Sequence, residues 1–140
     1  MKKVSISIVL MGIIAFMTKF TVYGVTVDVW SATVEDAELI GKVVMAEALN
    51  QPDLGKIYVI DTILNRVDDK NFPNSIEDVV KQPNQYAVAD TDVTAEINEL
   101  VISEILDRTD REVLFFRTEH YHKFGVPVVQ INDHYFSKLN

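Results

Sequence analysis

A chain of 140 residues with 48% hydrophobic side chains has the size and composition of one globular domain. Its 13 lysines and arginines against 21 aspartates and glutamates give a formal net charge of −8, which disfavours binding to the phosphate backbone of nucleic acids. The absence of cysteine excludes disulfides, a catalytic thiolate and zinc bound through cysteine. We therefore expect a domain that is held together by its hydrophobic core.

The N-terminal residues 1–24 have the pattern of a secretion signal. Lys2 and Lys3 precede an apolar run over residues 4–17, and Val22-Tyr23-Gly24 offers a small-residue cleavage site. As a helix this run would rise only about 21 Å, which is short of the roughly 30 Å of a bilayer's hydrocarbon core. We favour export with cleavage after residue 24, and a retained membrane anchor is the alternative.

The first helix of the domain is predicted from an N-cap motif. Thr33, with Asp36 three residues later, resembles a capping box, and the helix continues to about Ala48. Glu47 lies at the end of an apolar stripe along this helix, where an aliphatic side chain would be expected. The stripe has the spacing of a face that packs on a core and consists of Leu39, Ile40, Val43, Val44 and Ala46.

The rest of the chain predicts a single domain that is mainly α-helical with a small β-hairpin (α+β). It would span residues 37–140, after a lead-in segment over residues 25–36. Helices are predicted over residues 54–67, 76–81 and 93–106, and β-prone runs over residues 113–116 and 126–131.

Two interpretations of Glu47 are open from the residues alone. In one, its carboxylate extends into solvent from the end of a helix. In the other, it is held against apolar groups beside the break at Asn50-Gln51-Pro52. Because desolvation favours the neutral form of a carboxyl group, such a side chain could keep a proton and donate it as a general acid.

Three histidines raise the question of a metal site. If His120 and His122 lie on a strand, their rings share one face, as in a metal-binding pair, and His134 could add a third ligand. The alternative is an aromatic-rich strand whose histidines make hydrogen bonds. We favour the alternative because the spacing is not that of a firm ligand set, and we expect neither a metal nor an organic cofactor.

The segment "KQPNQYAV" combines amide side chains with an aromatic ring. Gln82, Gln85 and Tyr86 suit a neutral ligand that is rich in hydroxyl and amide groups, such as a glycan, although they could equally be ordinary loop residues. Asn65 and Arg66 are interpreted as the polar, basic end of the second helix, where a positive charge favours the helix dipole.

These pieces, in this order, resemble the cell wall hydrolase family typified by the spore cortex-lytic enzyme (the SleB type), which has phage relatives. The similarity covers roughly residues 37–138, and the ordered set of short motifs is specific. The matching segments are "MAEALNQPDLG" (45–55), "ILNRV" (63–67), "FPNSIEDVVKQPNQYAV" (72–88), "LFFRTEHYH" (114–122) and "GVPVVQINDHYFSK" (125–138).

The resemblance implies a lysozyme-like fold that cuts peptidoglycan between N-acetylmuramic acid and N-acetylglucosamine. It implies Glu47 as the catalytic acid and base. A family position that often holds a second glutamate is Gln51 here, which favours a lytic transglycosylase with one carboxylate over a hydrolytic muramidase with two. The implied substrate-binding residues are Gln82, Gln85, Tyr86, Phe116, Thr118 and His134.

The chain also departs from the family pattern at two glycine positions, which hold Asn50 and Asn132. Asn50 and Gln51 favour the alternative of a wall-associated protein that binds peptidoglycan without cleaving it. In either case we expect an exported monomer that acts on glycan strands in the periplasm, the cell wall or the medium. It would have no nucleic-acid partner, and it would be attached to a membrane only if the signal were retained.

We predict that export removes residues 1–24. Intact-mass measurement of the exported protein checks this, because cleavage after Gly24 leaves a chain that starts at Val25. A mature protein that still begins at Met1 would support the membrane anchor instead.

Overall fold

The computed structural model describes residues 18–22, 25–29 and 32–140, and within them a β-hairpin, four helices and a three-stranded sheet follow one another. None of the helices in these three ranges is long and apolar enough to cross a membrane. The helices are α1 (Val34–Glu47), α2 (Asp53–Asp68), α3 (Ile76–Val80) and α4 (Ala95–Leu106). The strands are β1 (Thr18–Val22), β2 (Val25–Val29), β3 (Phe115–Thr118), β4 (Val126–Ile131) and β5 (His134–Lys138).

β1 and β2 pair antiparallel, with Thr18 opposite Val29. The cleavage position predicted after Gly24 falls between these two strands, and Gly24 and the apolar run 4–17 lie outside the described residues. Removal of residues 1–24 therefore stays a prediction.

The capping box predicted at the start of α1 is confirmed. The N–H of Asp36 donates to Thr33 Oγ1 at 3.0 Å, and the N–H of Thr33 donates to Asp36 Oδ2 at 2.9 Å, so two otherwise unpaired donors of the first turn are satisfied. The apolar stripe then carries Ile40, Val43 and Val44 into the core, where each is completely buried.

α2 is the central helix of the domain. It packs against α1, α3 and α4, and every residue from Val59 to Val67 is buried. A helix that is enclosed on all sides must find partners for its polar side chains. In α2 these buried polar residues are Asp61, Thr62, Asn65 and Arg66, and their hydrogen bonds tie the helix to the chain around it.

α4 begins two residues later than its apolar pattern predicts, because Thr94 is the N-cap and its Oγ1 accepts from the N–H of Ile97 at 3.4 Å. Val93, which the prediction placed inside the helix, packs on α1 instead. A Cβ atom added to Gly41 of α1 would lie 2.6 Å from Cγ1 of Val93. Only a glycine at position 41 allows this close approach.

The predicted β-hairpin is part of a three-stranded antiparallel sheet of order β3-β5-β4. The sequence prediction missed β5, the central strand. Its segment "HYFSK" mixes polar and aromatic residues, and His134, Phe136 and Ser137 are all buried, so it lacks the simple polar/apolar alternation of an exposed strand.

The prediction that His120 and His122 lie on a strand is wrong. β3 ends at Thr118, and the next residue, Glu119, has a left-handed backbone (φ 75°) that turns the chain out of the sheet. Both histidines therefore lie in the connection between β3 and β4.

Asn132 occupies the tight turn between β4 and β5 with φ 50°. Glycine and asparagine are the residues that adopt this conformation most readily. The asparagine at this position therefore keeps the turn that a glycine would form.

A buried pair of carboxyl groups joins α2 to α4. Asp61 and Glu104 are both almost inaccessible to solvent. Asp61 Oδ2 accepts from the N–H of Asp110 at 2.7 Å, and Glu104 accepts from the N–H and the hydroxyl of Thr109 at 2.6 and 3.1 Å. The other carboxylate oxygen of Asp61, Oδ1, is buried and has no hydrogen-bond partner among the described residues.

This environment makes the stability of the domain depend on pH. Burial, with the neighbouring Glu104 carboxylate, raises the pKa of Asp61 to about 8, against the opposing effects of the Asp110 N–H and the Arg108 charge. An aspartate in the unfolded chain has a pKa of about 3.9. Between these values the folded chain holds a proton that the unfolded chain has lost, so the free energy of unfolding falls as pH rises from about 4 to about 8.

We predict that Asp61→Asn flattens this pH dependence, because the amide keeps an acceptor for the Asp110 N–H but does not titrate. Between about pH 5 and pH 8 the wild type should lose at least about 1 kcal/mol more of its free energy of unfolding than the variant does. Denaturant unfolding at both pH values measures this, with Glu99→Gln, at an exposed position of α4, as the control. Equal losses in wild type and Asp61→Asn would contradict the prediction.

Candidate active site

Glu47 is the last residue of α1 and lies at the edge of its buried stripe. The following residue, Ala48, leaves the helical conformation (φ −137°) and is buried, while the Glu47 side chain is half-buried. Its Oε1 accepts a hydrogen bond from the backbone N–H of Ala87 at 2.5 Å. The carboxylate is therefore held in one place by a rigid helix on one side and by the loop after α3 on the other.

Aromatic rings from the loop and the sheet line the space around this carboxylate. The rings of Tyr86 and Phe116 lie 6.2 Å apart, and the ring of Phe116 lies 5.4 Å from the His134 imidazole and 5.8 Å from Phe136. The charge of Glu47 acts on both Tyr86 and His134, so its carboxylate lies near both side chains. Three segments that are distant in sequence thus meet at one carboxylate.

The phenol oxygen of Tyr86 and the Nδ1 atom of His134 are inaccessible to solvent. Burial raises the pKa of the Tyr86 phenol above its ordinary value, against the opposing charge of Arg66, and Glu47 raises it further. Burial lowers the pKa of His134, against the raising effects of Asp133 and Glu47. Tyr86 Oη and His134 Nδ1 are both buried and have no hydrogen-bond partner among the described residues. Both polar atoms are therefore left without a protein partner beside Glu47.

Arg66 lies in the last turn of α2, at the basic helix end that the sequence predicts. It is also almost completely buried, which the sequence analysis did not predict, and its Nε donates to the carbonyl of Leu114 at 2.7 Å. Its Nη1 donates to Oε1 of Gln85 at 3.0 Å. The guanidinium also lies 4.9 Å from the ring centre of Phe72 and 5.2 Å from that of Tyr86. One signal was in the sequence, since Arg66 belongs to the otherwise largely apolar "ILNRV" run.

The other expected substrate-binding residues occupy different surroundings. Thr118 is exposed and lies opposite His134 in the antiparallel pair of β3 and β5. The sheet register therefore places Thr118 next to a residue of the site. The side-chain oxygen Oε1 of Gln85 accepts a hydrogen bond from Arg66, so this side chain ties the loop after α3 to α2. Gln82 lies just after α3, and its Oε1 is buried without a hydrogen-bond partner among the described residues.

The histidines do not come together as a ligand set. His134 is on the central strand, whereas His122 packs on Phe124, with the two ring centres 4.7 Å apart. In the ranges 18–22, 25–29 and 32–140, no group of three or more His, Cys, Asp or Glu residues is arranged to hold a metal ion.

Two other carboxylates, those of Asp53 and Asp133, have partners. Asp53, at the start of α2, is exposed and forms an ion pair with Lys56 at 3.0 Å. Asp133, beside His134, accepts from Nε2 of Gln51 at 2.6 Å. This bond links the α1–α2 turn to the β4–β5 turn across 82 residues of sequence, and nothing local in the sequence predicts it.

A sequence profile described as Cell Wall Hydrolase matches residues 50–137. The chain belongs to the cell wall hydrolase family. Spore cortex-lytic enzymes of Bacillus cereus and Bacillus subtilis (strain 168) are 36% and 34% identical to it over 73 residues, or 51% of this chain. The aligned regions are 28% and 24% of those proteins, so this cell wall hydrolase spans about a quarter of the length of the curated relatives it matches.

Solved structures extend the likeness to the fold. The catalytic domain of the Bacillus cereus SleB protein matches with a TM-score of 0.70 at 22% identity, covering 77% of this chain and 93% of that domain. The catalytic domain of the germination-specific lytic transglycosylase SleB from Bacillus anthracis matches with a TM-score of 0.67 at 23% identity, covering 76% and 97%. The lysozyme-like α+β fold predicted for this cell wall hydrolase is confirmed.

We predict that Tyr86→Phe and Tyr86→Ala differ sharply in stability. Loss of the buried, unpartnered hydroxyl should leave the free energy of unfolding unchanged or raise it by up to about 1 kcal/mol. Loss of the ring, which packs on Arg66 and Phe116, should lower it by about 3 kcal/mol. Denaturant unfolding of both variants measures this. A large loss for Tyr86→Phe would mean that the hydroxyl has a structural partner.

Proposed function

We propose that this protein cleaves the glycan strand of peptidoglycan between N-acetylmuramic acid and N-acetylglucosamine, as a lytic transglycosylase with Glu47 as its only catalytic acid and base. The observation that carries the proposal is the position of the Glu47 carboxylate, fixed by the Ala87 N–H between Tyr86 and His134. Membership of the cell wall hydrolase family supports the substrate class. We expect the protein to act outside the cytoplasm.

The reaction requires two proton transfers by one group. The Glu47 carboxyl first donates its proton to the glycosidic oxygen, and the bond from that oxygen to C1 of the muramyl residue breaks. The resulting carboxylate then takes the proton of the muramyl C6 hydroxyl, and the oxygen of that hydroxyl bonds to C1. This closes a 1,6-anhydro ring and returns the proton to Glu47, so no water is consumed.

The partners of the neighbouring carboxylates favour this reaction over hydrolysis. A two-carboxylate glycosidase needs a second acid about 5–10 Å from the first, free to act as nucleophile or to activate water. Asp53 is paired with Lys56, and Asp133 with Gln51. The rings of Tyr86 and Phe116, which lie 6.2 Å apart, can pack on the apolar faces of the sugars.

A second candidate function is binding of peptidoglycan without cleavage. The observation that favours it is Gln51, whose neutral amide bonds to Asp133 where the family often has a second glutamate. In that case the aromatic groove, which we define as the space beside Glu47 that the rings of Tyr86, Phe116 and His134 line, would still hold a glycan strand. Wild-type protein that binds purified sacculi but does not reduce their turbidity would support this candidate.

We predict that Glu47→Gln abolishes turnover while the fold is kept. The amide oxygen can still accept from the Ala87 N–H, but the side chain has no proton to transfer. General acid–base catalysis contributes roughly 10²–10⁴-fold in rate, so clearance of sacculi should slow by at least that factor. Turbidity loss and thermal unfolding measure the two properties.

The matched control is Glu38→Gln, at an exposed position of the same helix, which should clear sacculi like the wild type. Mass spectrometry of the products identifies the reaction, because 1,6-anhydromuramyl ends come from a transglycosylase and reducing muramyl ends from a hydrolase. An active Glu47→Gln variant would overturn the assignment of Glu47.

A further inference from the structure

A cavity of about 460 Å³ adjoins the aromatic groove. The loop after α3, the strand β3 and the connection between β3 and β4 all contribute to its walls. Tyr86 and Phe116 line it as well, so it shares a wall with the space around Glu47. Its other main lining residues are Arg66, Arg117, His122 and Phe124.

The two arginines of this cavity have no carboxylate partner among the described residues. Arg66 donates only to neutral oxygens, those of Leu114 and Gln85. Arg117 Nε is buried and makes no hydrogen bond to any described residue. By contrast, several basic side chains elsewhere have acidic partners, namely Lys42, Lys56, Lys81, Arg108 and Lys138.

The positive charges act on the same space. Burial lowers the pKa of His122, and the charges of Arg117, Arg66 and His120 lower it further, against a hydrogen bond to the Phe116 backbone. Two guanidinium groups thus share this cavity without a counter-charge, although the chain has a net charge of −8. A partly buried cation is stabilised when an anion shares its site, and a guanidinium binds a carboxylate especially well.

The connection between β3 and β4 adds an apolar surface beside these charges. Phe124 is 59% exposed, and its ring stacks on His122 with a centre-to-centre distance of 4.7 Å. The rings of Phe115 and Phe124 pack edge to face, with their centres 5.2 Å apart. A ligand for this cavity should therefore carry a carboxylate next to an apolar or methyl-bearing group.

We propose that this cavity binds a carboxylate attached at the lactyl ether of a muramyl residue, and that Arg117 selects strands that carry it over neutral N-acetylated glycans. The inference rests on the proposed function, because it takes the strand to lie in the groove beside Glu47. Two sources share this chemistry: the free lactyl carboxylate of a stripped strand, and a carboxylate of the stem peptide. The lactyl methyl group would lie against the Phe124 ring.

The ligand-side test measures binding of the Glu47→Gln variant to sacculi by co-sedimentation, so that turnover does not interfere. Native sacculi are compared with sacculi whose carboxylates have been amidated, with amidase-treated sacculi that retain only lactyl carboxylates, and with chitin. We expect amidation to weaken binding about tenfold, the effect of losing one charge-assisted hydrogen bond, and chitin to bind as weakly. In native sacculi the lactyl carboxyl is joined to the stem peptide by an amide bond, so loss of binding after amidase treatment assigns the stem-peptide carboxylate. Binding that rises after amidase treatment, and falls again when the treated sacculi are amidated, assigns the free lactyl carboxylate.

Bulk electrostatics predicts the opposite result, which makes the test decisive. An acidic protein is repelled by an anionic wall, so amidation would strengthen any non-specific adsorption. Equal or tighter binding after amidation, for both native and amidase-treated sacculi, would overturn the inference.

The protein-side test introduces Arg117→Gln into the same Glu47→Gln background. Binding to native sacculi should fall to the level of amidated sacculi, and amidation should then have no further effect. Arg117→Lys should restore part of the difference, because it keeps the charge without the planar fork. Lys123→Gln removes a charge from the same connection at an exposed position outside the cavity, and it should bind like the parent.

Thermal unfolding identifies an Arg117→Gln variant that has lost its fold, and in that event the ligand-side comparison decides alone. Wild-type protein on native sacculi tests the proposed function separately. If the wild type lyses sacculi but binding ignores amidation, only the cavity inference fails. If binding depends on the carboxylate but no lysis occurs, only the proposed cleavage fails.

Discussion

The buried guanidinium of Arg66 is the interaction on which the rest of the structure depends. It extends from the central helix α2, bonds to the carbonyl just before β3 and to the side chain of Gln85, and lies against the rings of Phe72, Tyr86 and Phe115. Helices, sheet and loop are thus joined through one planar group. A lysine would offer one point of attachment where arginine offers a fork, so the geometry of the groove depends on this residue type.

Burying such a charge is costly, and the fold offsets the cost without a carboxylate. Carbonyl oxygens and aromatic faces surround the guanidinium, and both interact favourably with a cation that is only weakly hydrated. As a result, no carboxylate among the described residues neutralises the charge of Arg66. The Tyr86 hydroxyl and the His134 nitrogen are likewise dry, with no hydrogen-bond partner among the described residues. Groups that are poorly satisfied in the free protein are the ones that a ligand can satisfy.

Local signals in the sequence predicted the helical part of the fold well. The Thr33–Asp36 capping box and the apolar spacing of α1 and α2 are short-range features, and the structure confirms them. The errors fall where tertiary contacts override local pattern. Residues of β5 form a strand because they pair with β3 on one side and with β4 on the other. Arg66 can be buried because the carbonyl of Leu114, 48 residues further along the chain, accepts its hydrogen bond.

The candidate site was predictable only in part for the same reason. Glu47, Tyr86, Phe116 and His134 were named from motifs, and the structure brings them together. The cavity lined by Arg117 and the bond between Gln51 and Asp133 had no local signal, because each joins segments that are far apart along the chain.

The central position of β5 has a consequence for how the protein is made. β3 and β4 precede β5 in the chain but do not pair with each other, so neither has a partner until residues 134–138 have been synthesised. Until then the sheet cannot assemble, and the rings of His134 and Phe136 are missing from the groove. Long-range strand pairing of this kind forms slowly, and until it forms β3 and β4 of the growing chain remain without a partner strand. A nascent chain therefore stays without the completed sheet throughout most of translation, and a shortened product that stops before residue 134 cannot form it.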